Sequence, residues 1–228
     1  MSQAIPQRTR AERTRAAVLE AAEAIFAEKG FAATRLEDVA DRVGIRRASI
    51  VYYFKDKKEL YHAVLGSVFG GLLAKIAEAL TRPDPLSERI EAGVGAWVDY
   101  VGARPSTARL LLREVADAAP GHRPAVLEHT QPFFELVRKQ VFEREPGETA
   151  RLSAIDPVHL ASTIAGATVF FIAAMPALVP ELELDPVSPA HLAAHREEVL
   201  RIVRRLLGTR GPRASRAEKR GSTDPEDA

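Results

Sequence analysis

The chain has 228 residues, enough for one long domain or a small one fused to a larger, and its 46% apolar and 28% charged residues are the balance of a soluble protein with a real core. It has no cysteine, which excludes a disulfide framework and a thiol nucleophile and fits a reducing cytoplasm; the opening MSQAIPQRTR lacks the apolar run of a secretory signal. The net charge is +1, but residues 1–65 hold 12 Lys and Arg against 9 Asp and Glu while residues 66–207 hold 15 against 18, so a basic head on an acidic body leans towards a polyanion partner.

Residues 1–10 read as a mobile polar arm. Over 9–29, Val18, Ala21, Ala22, Ile25 and Phe26 recur at helical spacing, and Gly30 offers a left-handed C-cap. Thr34 and Glu37 have the spacing of a capping box, opening a helix over 34–42 that buries Leu36, Val39 and Ala40. Gly44 stops it, because glycine takes a positive φ without a Cβ penalty. A short helix over 46–52 follows, and another opens at Asp56 and runs to about Leu80. Longer apolar helices are expected over 86–103, 105–118, 124–145, 156–178 and 188–207. Their boundaries are marked by Pro105, Pro120-Gly121, Pro146-Gly147, Asp156-Pro157 and Ser188-Pro189. The tail over 208–228, rich in Arg, Gly, Ser and acid, reads as disordered. The expected fold is all-α: a three-helix head over 1–65 and a multi-helix body over 66–207.

A helix at 34–42, a glycine turn and a short second helix make a helix-turn-helix, in which the second helix lies in the major groove with its N-terminal residues at base edges. Arg46 and Arg47 project from that first turn, where a guanidinium can bond guanine O6 and N7 together or clamp a phosphate. Ser49 and Tyr52 are secondary candidates for bases. Lysines 55, 57 and 58 flank the helix near Tyr53, suited to the backbone. Arg8, Arg10, Arg13 and Arg15 offer a basic arm for a neighbouring minor groove, or a merely solvated terminus.

The order Ala22, Phe26, Lys29-Gly30-Phe31, Thr34, Asp38-Val39-Ala40, Gly44-Ile45, Tyr53-Phe54, Lys57, Leu60 resembles the DNA-binding head of the tetracycline repressor (TetR-like) family. The resemblance implies a homodimeric all-α regulator whose divergent body binds a small molecule and dimerises through its eighth and ninth helices. It also implies phosphate contacts at Thr34, Arg35, Tyr53 and Lys57. Arg46 replaces the family's usual serine, Val51 its usual phosphate-touching tyrosine, and Arg35 a small hydroxyl residue. Tyr52 stands next to Val51 but points about 100° further round the helix.

In the body, the uncharged stretch over 160–180 is about long enough to cross a bilayer. Ser162, Thr163, Thr168 and Pro176 dilute or break it, and Asp156 and Glu181 flank it without basic anchors. A buried helix is the expectation, with Ser162 and Gly166 admitting a partner helix. Leu192, Val199, Ile202, Val203 and Leu206 form the apolar stripe of the last helix, and two such helices from each subunit make a four-helix interface. Trp97, Tyr100, Leu111, Phe133, Phe134, Phe170 and Phe171 are candidates to line a cavity, with His129, Thr130 or His159 as polar anchors. The scarcity of charge there points to an apolar or neutral effector.

No catalytic constellation is evident. His191 and His195 share a helical face, but no third ligand accompanies them, so no metal is expected. Gly93-Val94-Gly95 follows no strand and is not a dinucleotide fingerprint. No cofactor is expected. The sequence reads as a cytoplasmic regulator that binds double-stranded operator DNA as a homodimer, a repressor before an activator. The alternative is a small-molecule-binding or membrane-associated helical protein without specific DNA binding.

Overall fold

The computed structural model describes residues 9–117, 124–143 and 157–207, and these contain helices and no strand. Residues 1–8 of the expected arm, the tail over 208–228, Pro120-Gly121, Pro146-Gly147 and Asp156 lie outside the described residues.

The head is built by α1 (Arg10–Ala33), α2 (Leu36–Val43) and α3 (Arg47–Tyr53). At the start of α1 the Thr9 hydroxyl accepts from the Glu12 amide at 3.2 Å while the Glu12 carboxylate accepts from the Thr9 amide at 2.7 Å, a reciprocal cap. Gly30 has a positive φ of 77° but an extended ψ of 173°, so it kinks α1 and lets one more turn follow to Ala33, rather than capping the helix in the left-handed region. The expected threonine cap of α2 is also displaced. Thr34 is buried and donates its hydroxyl to the Gly30 carbonyl at 2.7 Å, closing α1. Arg35 occupies the cap position of α2, and its amide donates to the Asp38 carboxylate at 3.2 Å. That hydrogen bond is the main reason the Asp38 carboxyl is held below the usual range. Gly44 ends α2 at φ 72°, ψ 35°, in the left-handed conformation the turn requires.

Packing explains the small residues. Ala40 lies buried where α2 meets α3, and Ile50 of α3 is fully enclosed with Val39, Phe54 and the α1 residues Val18, Ala22 and Phe26. Lys57 then opens α4 (Lys57–Leu80) behind an Asp56 cap whose carboxylate accepts from the Glu59 amide at 2.8 Å. By length and composition α4 could cross a membrane, the one described helix that could. Here it is the spine of a single apolar cluster, giving Leu60, Val64 and Leu65 to the head and Val68, Phe69, Leu72 and Ile76 to the body. It passes without a break through the boundary drawn at residue 65.

The body adds α5 (Leu86–Ala103), α6 (Ser106–Ala116), α7 (Val126–Val137), α8 (Pro157–Ala173) and α9 (Pro189–Leu207). Two departures matter. The helix expected to reach residue 178 stops at Ala173, and two short turns, Met175–Leu178 and Pro180–Leu182, replace its end. In α7, Pro132 sits inside the helix and a π-helical turn, Arg138–Phe142, follows it. Pro132 has no amide to complete the helical ladder, and the wider turn re-registers the backbone beyond it. At the start of α9 the Ser188 hydroxyl donates to the Asp185 carbonyl at 2.9 Å.

Candidate nucleic-acid interface and effector cavity

Helix α3 is held from below by Ile50 and Phe54, which leaves its other side to solvent. Arg46 and Arg47 are exposed, and Tyr52 is the most open of the large hydrophobic side chains described, at 83%, with Val51 beside it at 44%. Tyr52 packs edge-on against Tyr53, ring centroids 5.1 Å apart, so the phenol has a fixed base but a free outer face. Among the described residues Arg46 has no ion pair. The Arg47 Nε lies 3.2 Å from the Glu37 carboxylate on α2. With both partners exposed, such a pair contributes about 0–1 kcal/mol, little enough for a phosphate or guanine to displace. Ser49 is half-buried and Arg35 exposed.

Two of the expected phosphate contacts are differently employed. Thr34 is only 2% exposed, its hydroxyl turned inwards to Gly30. The Lys57 ammonium donates to the carbonyls of Phe31, Ala32 and Thr34 at 2.9, 3.2 and 3.0 Å and lies 4.5 Å from the centre of the Phe31 ring. An ammonium has three donors, and all three are engaged in closing the C-terminal end of α1. Lysine near a helix C-terminus also complements its dipole. The sequence gives no sign of this, because the carbonyls lie more than twenty residues upstream.

Head and body meet at a polar joint that the sequence reading missed. Glu23 of α1 is buried and pairs with Arg104, whose Nε donates at 2.7 Å, and accepts from the Ser106 hydroxyl. Pairing with Glu23 holds the Arg104 guanidinium more firmly charged than usual. On α6, Arg113 donates to the Ala27 carbonyl at 3.0 Å, and the buried Glu114 accepts from the Tyr61 hydroxyl of α4 with one oxygen and from the Val126 amide of α7, at 2.8 Å, with the other. Burial, and then the Glu114 carboxylate, raise the Tyr61 pKa above the usual phenol range. The same α6 turns Leu111 and Val115 into a cavity. One helix thus touches the interior of the body and the end of the head helix.

That cavity, about 700 Å³, lies between α4, α5, α6, α7 and α8, within the range of small-molecule sites. Trp97, Leu111, His129, Thr130, Phe133 and Phe134 line it as expected. Tyr100, His159 and Phe170 do not. The Tyr100 hydroxyl donates to the Val68 carbonyl at 2.7 Å, pinning α5 to α4 where Gly71 leaves room for it. His159 and Phe170 face outwards on α8, and Phe171 stacks on His195 with ring centroids 4.2 Å apart. The sequence reading overlooked the inner wall, Phe69, Leu72, Leu73 and Ile76 of α4. The signal was there in the apolar length of that helix, which exceeds what a core-facing stripe needs.

The expected dimer residues divide into two groups. Val199 and Val203 are buried within the chain, and Leu192 packs over Gly102 of α5. They belong to the chain's own core, because glycines in α5 let α9 settle closely. The Gly93-Val94-Gly95 run serves close packing on two sides: Gly93 faces Leu80 of α4, and Gly95 faces Arg196 of α9, which pairs with Asp99 at 3.0 Å. Ser162, Gly166, Ile202 and Leu206 remain exposed, and Ser162 also borders the cavity. Phe170, two turns from Ser162, extends that open face at 49% exposure. No group of His, Cys, Asp or Glu suited to a metal occurs among the described residues, and His191 lies against Ser188 at 3.0 Å.

Comparison with known proteins gives this geometry its relatives. Residues 18–64 match the family described as bacterial regulatory proteins, tetR family. The transcriptional activator FasR of Mycolicibacterium smegmatis is 31% identical over 87 residues, 38% of this chain and 40% of FasR. The transcriptional regulator RutR of Escherichia coli O157:H7 is 31% identical over 148 residues, 63% of this chain and 66% of RutR. The chain thus spans about two fifths of FasR and nearly two thirds of RutR. A regulatory protein of the tetR family from Rhodococcus RHA1 shares the fold, with a TM-score of 0.62 at 20% identity over 86% of this chain and 98% of that one.

Proposed function

Because this chain belongs to the tetR family of bacterial regulatory proteins, we propose that it is a DNA-binding transcriptional regulator, a repressor released from a pseudo-palindromic operator by a small-molecule effector. The observation that carries this reading is α3, a short helix whose enclosed face is apolar and whose open face presents Arg46, Arg47, Val51 and Tyr52. Arg46 and Arg47 read bases, Tyr52 joins them from the outer face, and Ser49 is a lesser contact. Arg35 and Tyr53 hold the backbone. Lys57 contributes by fixing the end of α1, and its first-turn position on α4 leaves backbone amides of that helix for phosphate. A homodimer through the open faces of α8 and α9 sets two recognition helices about 34–36 Å apart, one turn of the duplex.

Release follows from α6. A ligand seated against Leu111, Val115 and His129 bears on α6 and α7 together, and Glu114 transmits their movement to Tyr61 of α4 while Arg113 transmits it to the end of α1. The effector need only favour the arrangement in which the two heads no longer match successive grooves.

The test is titration of the full chain against the duplex upstream of its own coding sequence and against a scrambled duplex, at two salt concentrations. A tight complex on the native duplex alone, weakening with salt, is the expected result. Equal weak binding to both, repeated in a selection from random duplexes, would refute specific recognition. Activation is the second reading, favoured by the description of FasR. A reporter behind the operator separates them, because deletion of the regulator raises expression under repression and lowers it under activation.

A further inference from the structure

Two residues that line the cavity carry polar atoms that no protein group partners, and both atoms lie covered by their surroundings. Trp97 is 9% exposed, and its indole Nε1 has no hydrogen-bond partner. Indole is a donor only, and buried Trp N–H groups ordinarily find an acceptor. His129 Nε2, on α7, is likewise unpartnered, and burial pushes the imidazole pKa down. Thr130 and Ser162 are the other small polar groups of the lining, and the rest is overwhelmingly aliphatic and aromatic.

Charge is sparse among the described residues of the lining, none of which is Asp, Glu or Lys. The one permanent cation among them is Arg138, whose guanidinium donates to Glu135 at 2.7 Å and pairs with Glu143. An anionic group would have to displace those two carboxylates, and a cationic group would find no carboxylate among the described lining residues. Burying either without a partner is more costly than burying a neutral oxygen that receives one hydrogen bond.

Resting on the proposed effector role of this cavity, we propose that its ligand is an uncharged, mainly hydrocarbon molecule bearing one oxygen acceptor, to which a small rotation of Trp97 brings the indole N–H, with His129 Nε2 as a second polar contact. The hydrocarbon lies along Leu72, Ile76 and Val94, and the oxygen decides affinity among molecules of equal length.

The chain has a single tryptophan, so Trp97 itself reports on the site. Full-length protein is loaded with the apolar dye Nile red, which is then displaced with methyl heptyl ketone, nonane or nonanoate. In parallel, Trp97 emission is followed without dye. The ketone shifts that emission to the red, as a newly hydrogen-bonded indole does, and nonane does not. In Trp97→Phe, which keeps the ring and removes the donor, the ketone weakens about tenfold relative to nonane, the size of one neutral hydrogen bond. An unchanged ketone-to-nonane ratio in that variant, or identical emission changes with both probes in the native protein, would overturn the proposal. So would nonanoate binding more tightly than the ketone. If neither dye nor probe binds, the effector role of the cavity fails along with the proposal, whereas operator titration of the same protein still tests the head separately.

Discussion

At the residue scale, Arg47, expected at a base, and Lys57, expected at phosphate, differ in what they already hold. Arg47 is tied only to an exposed glutamate. Arg47→Ala should therefore leave the melting temperature nearly unchanged while costing about 1–3 kcal/mol on the operator and relaxing preference at one base. Lys57→Met should do the reverse. It removes charge-assisted hydrogen bonds to Phe31, Ala32 and Thr34, and should destabilise the fold by about 2 kcal/mol with little change in the salt dependence of DNA binding. Thermal melting and salt-series titration of both variants distinguish the two roles, and a steep loss of salt slope in Lys57→Met would place its ammonium on phosphate. His195 supplies a pH prediction. Burial lowers its folded pKa below the ordinary imidazole value, so the unfolded chain gains its proton first as pH falls. This contribution to stability is present above the unfolded value of about 6.5 and is lost as pH falls through it towards the lowered folded value. His129, lowered in the same direction, adds to it. Melting temperature should drop across that window, and drop less in His195→Phe, which keeps the stack on Phe171.

At the scale of elements, α6 is the part whose meaning depends most on its surroundings. From the sequence its apolar positions identify a helix and place Leu111 near a cavity, but nothing local shows that Glu114 meets Tyr61, fifty-three residues earlier, or that Arg113 meets the end of α1. Helix existence was legible because periodicity, Gly44, Asp56 and the proline boundaries are local signals. The cap at Thr34 was misplaced by one residue because Thr34-x-x-Glu37 and Arg35-x-x-Asp38 overlap, and the kink at Gly30 drew the threonine hydroxyl back to α1. Tyr61→Phe keeps the ring in the core and removes its link to Glu114. Operator affinity without ligand should change by less than about threefold, while the release produced by a bound effector is weakened. Full release in that variant would show that α6 communicates through Arg113 alone.

At the scale of the whole molecule, α9 has one flank on α5 and another that is open. The apolar stripe was visible in the sequence, but its division was not, since only the close approach allowed by Gly95 and Gly102 decides how far α9 rotates towards its own chain. Val199 and Val203 lie inside, while Ile202, Leu206 and Phe170 remain exposed apolar side chains of the kind an interface covers. Phe170→Glu and Ile202→Glu together should convert a dimer into a folded monomer by sedimentation or light scattering. They should also lower operator affinity by far more than either changes the helical content, because a single head contacts one half-site.

The interruption of α7 has a consequence in time. Only Val126 of this helix is buried, Pro132 removes the amide that would bond the Glu128 carbonyl, and the π turn at Arg138–Phe142 loosens its far end. The wall that carries His129, Phe133 and Phe134 is therefore one whose backbone ladder is interrupted. Traffic of small molecules should be gated there: association well below the diffusion limit, saturating at high ligand concentration as opening of α7 becomes rate-limiting. Replacing Pro132 with alanine completes the ladder and should slow entry and exit together, leaving the dissociation constant nearly unchanged. Stopped-flow fluorescence of Trp97 would follow both rates.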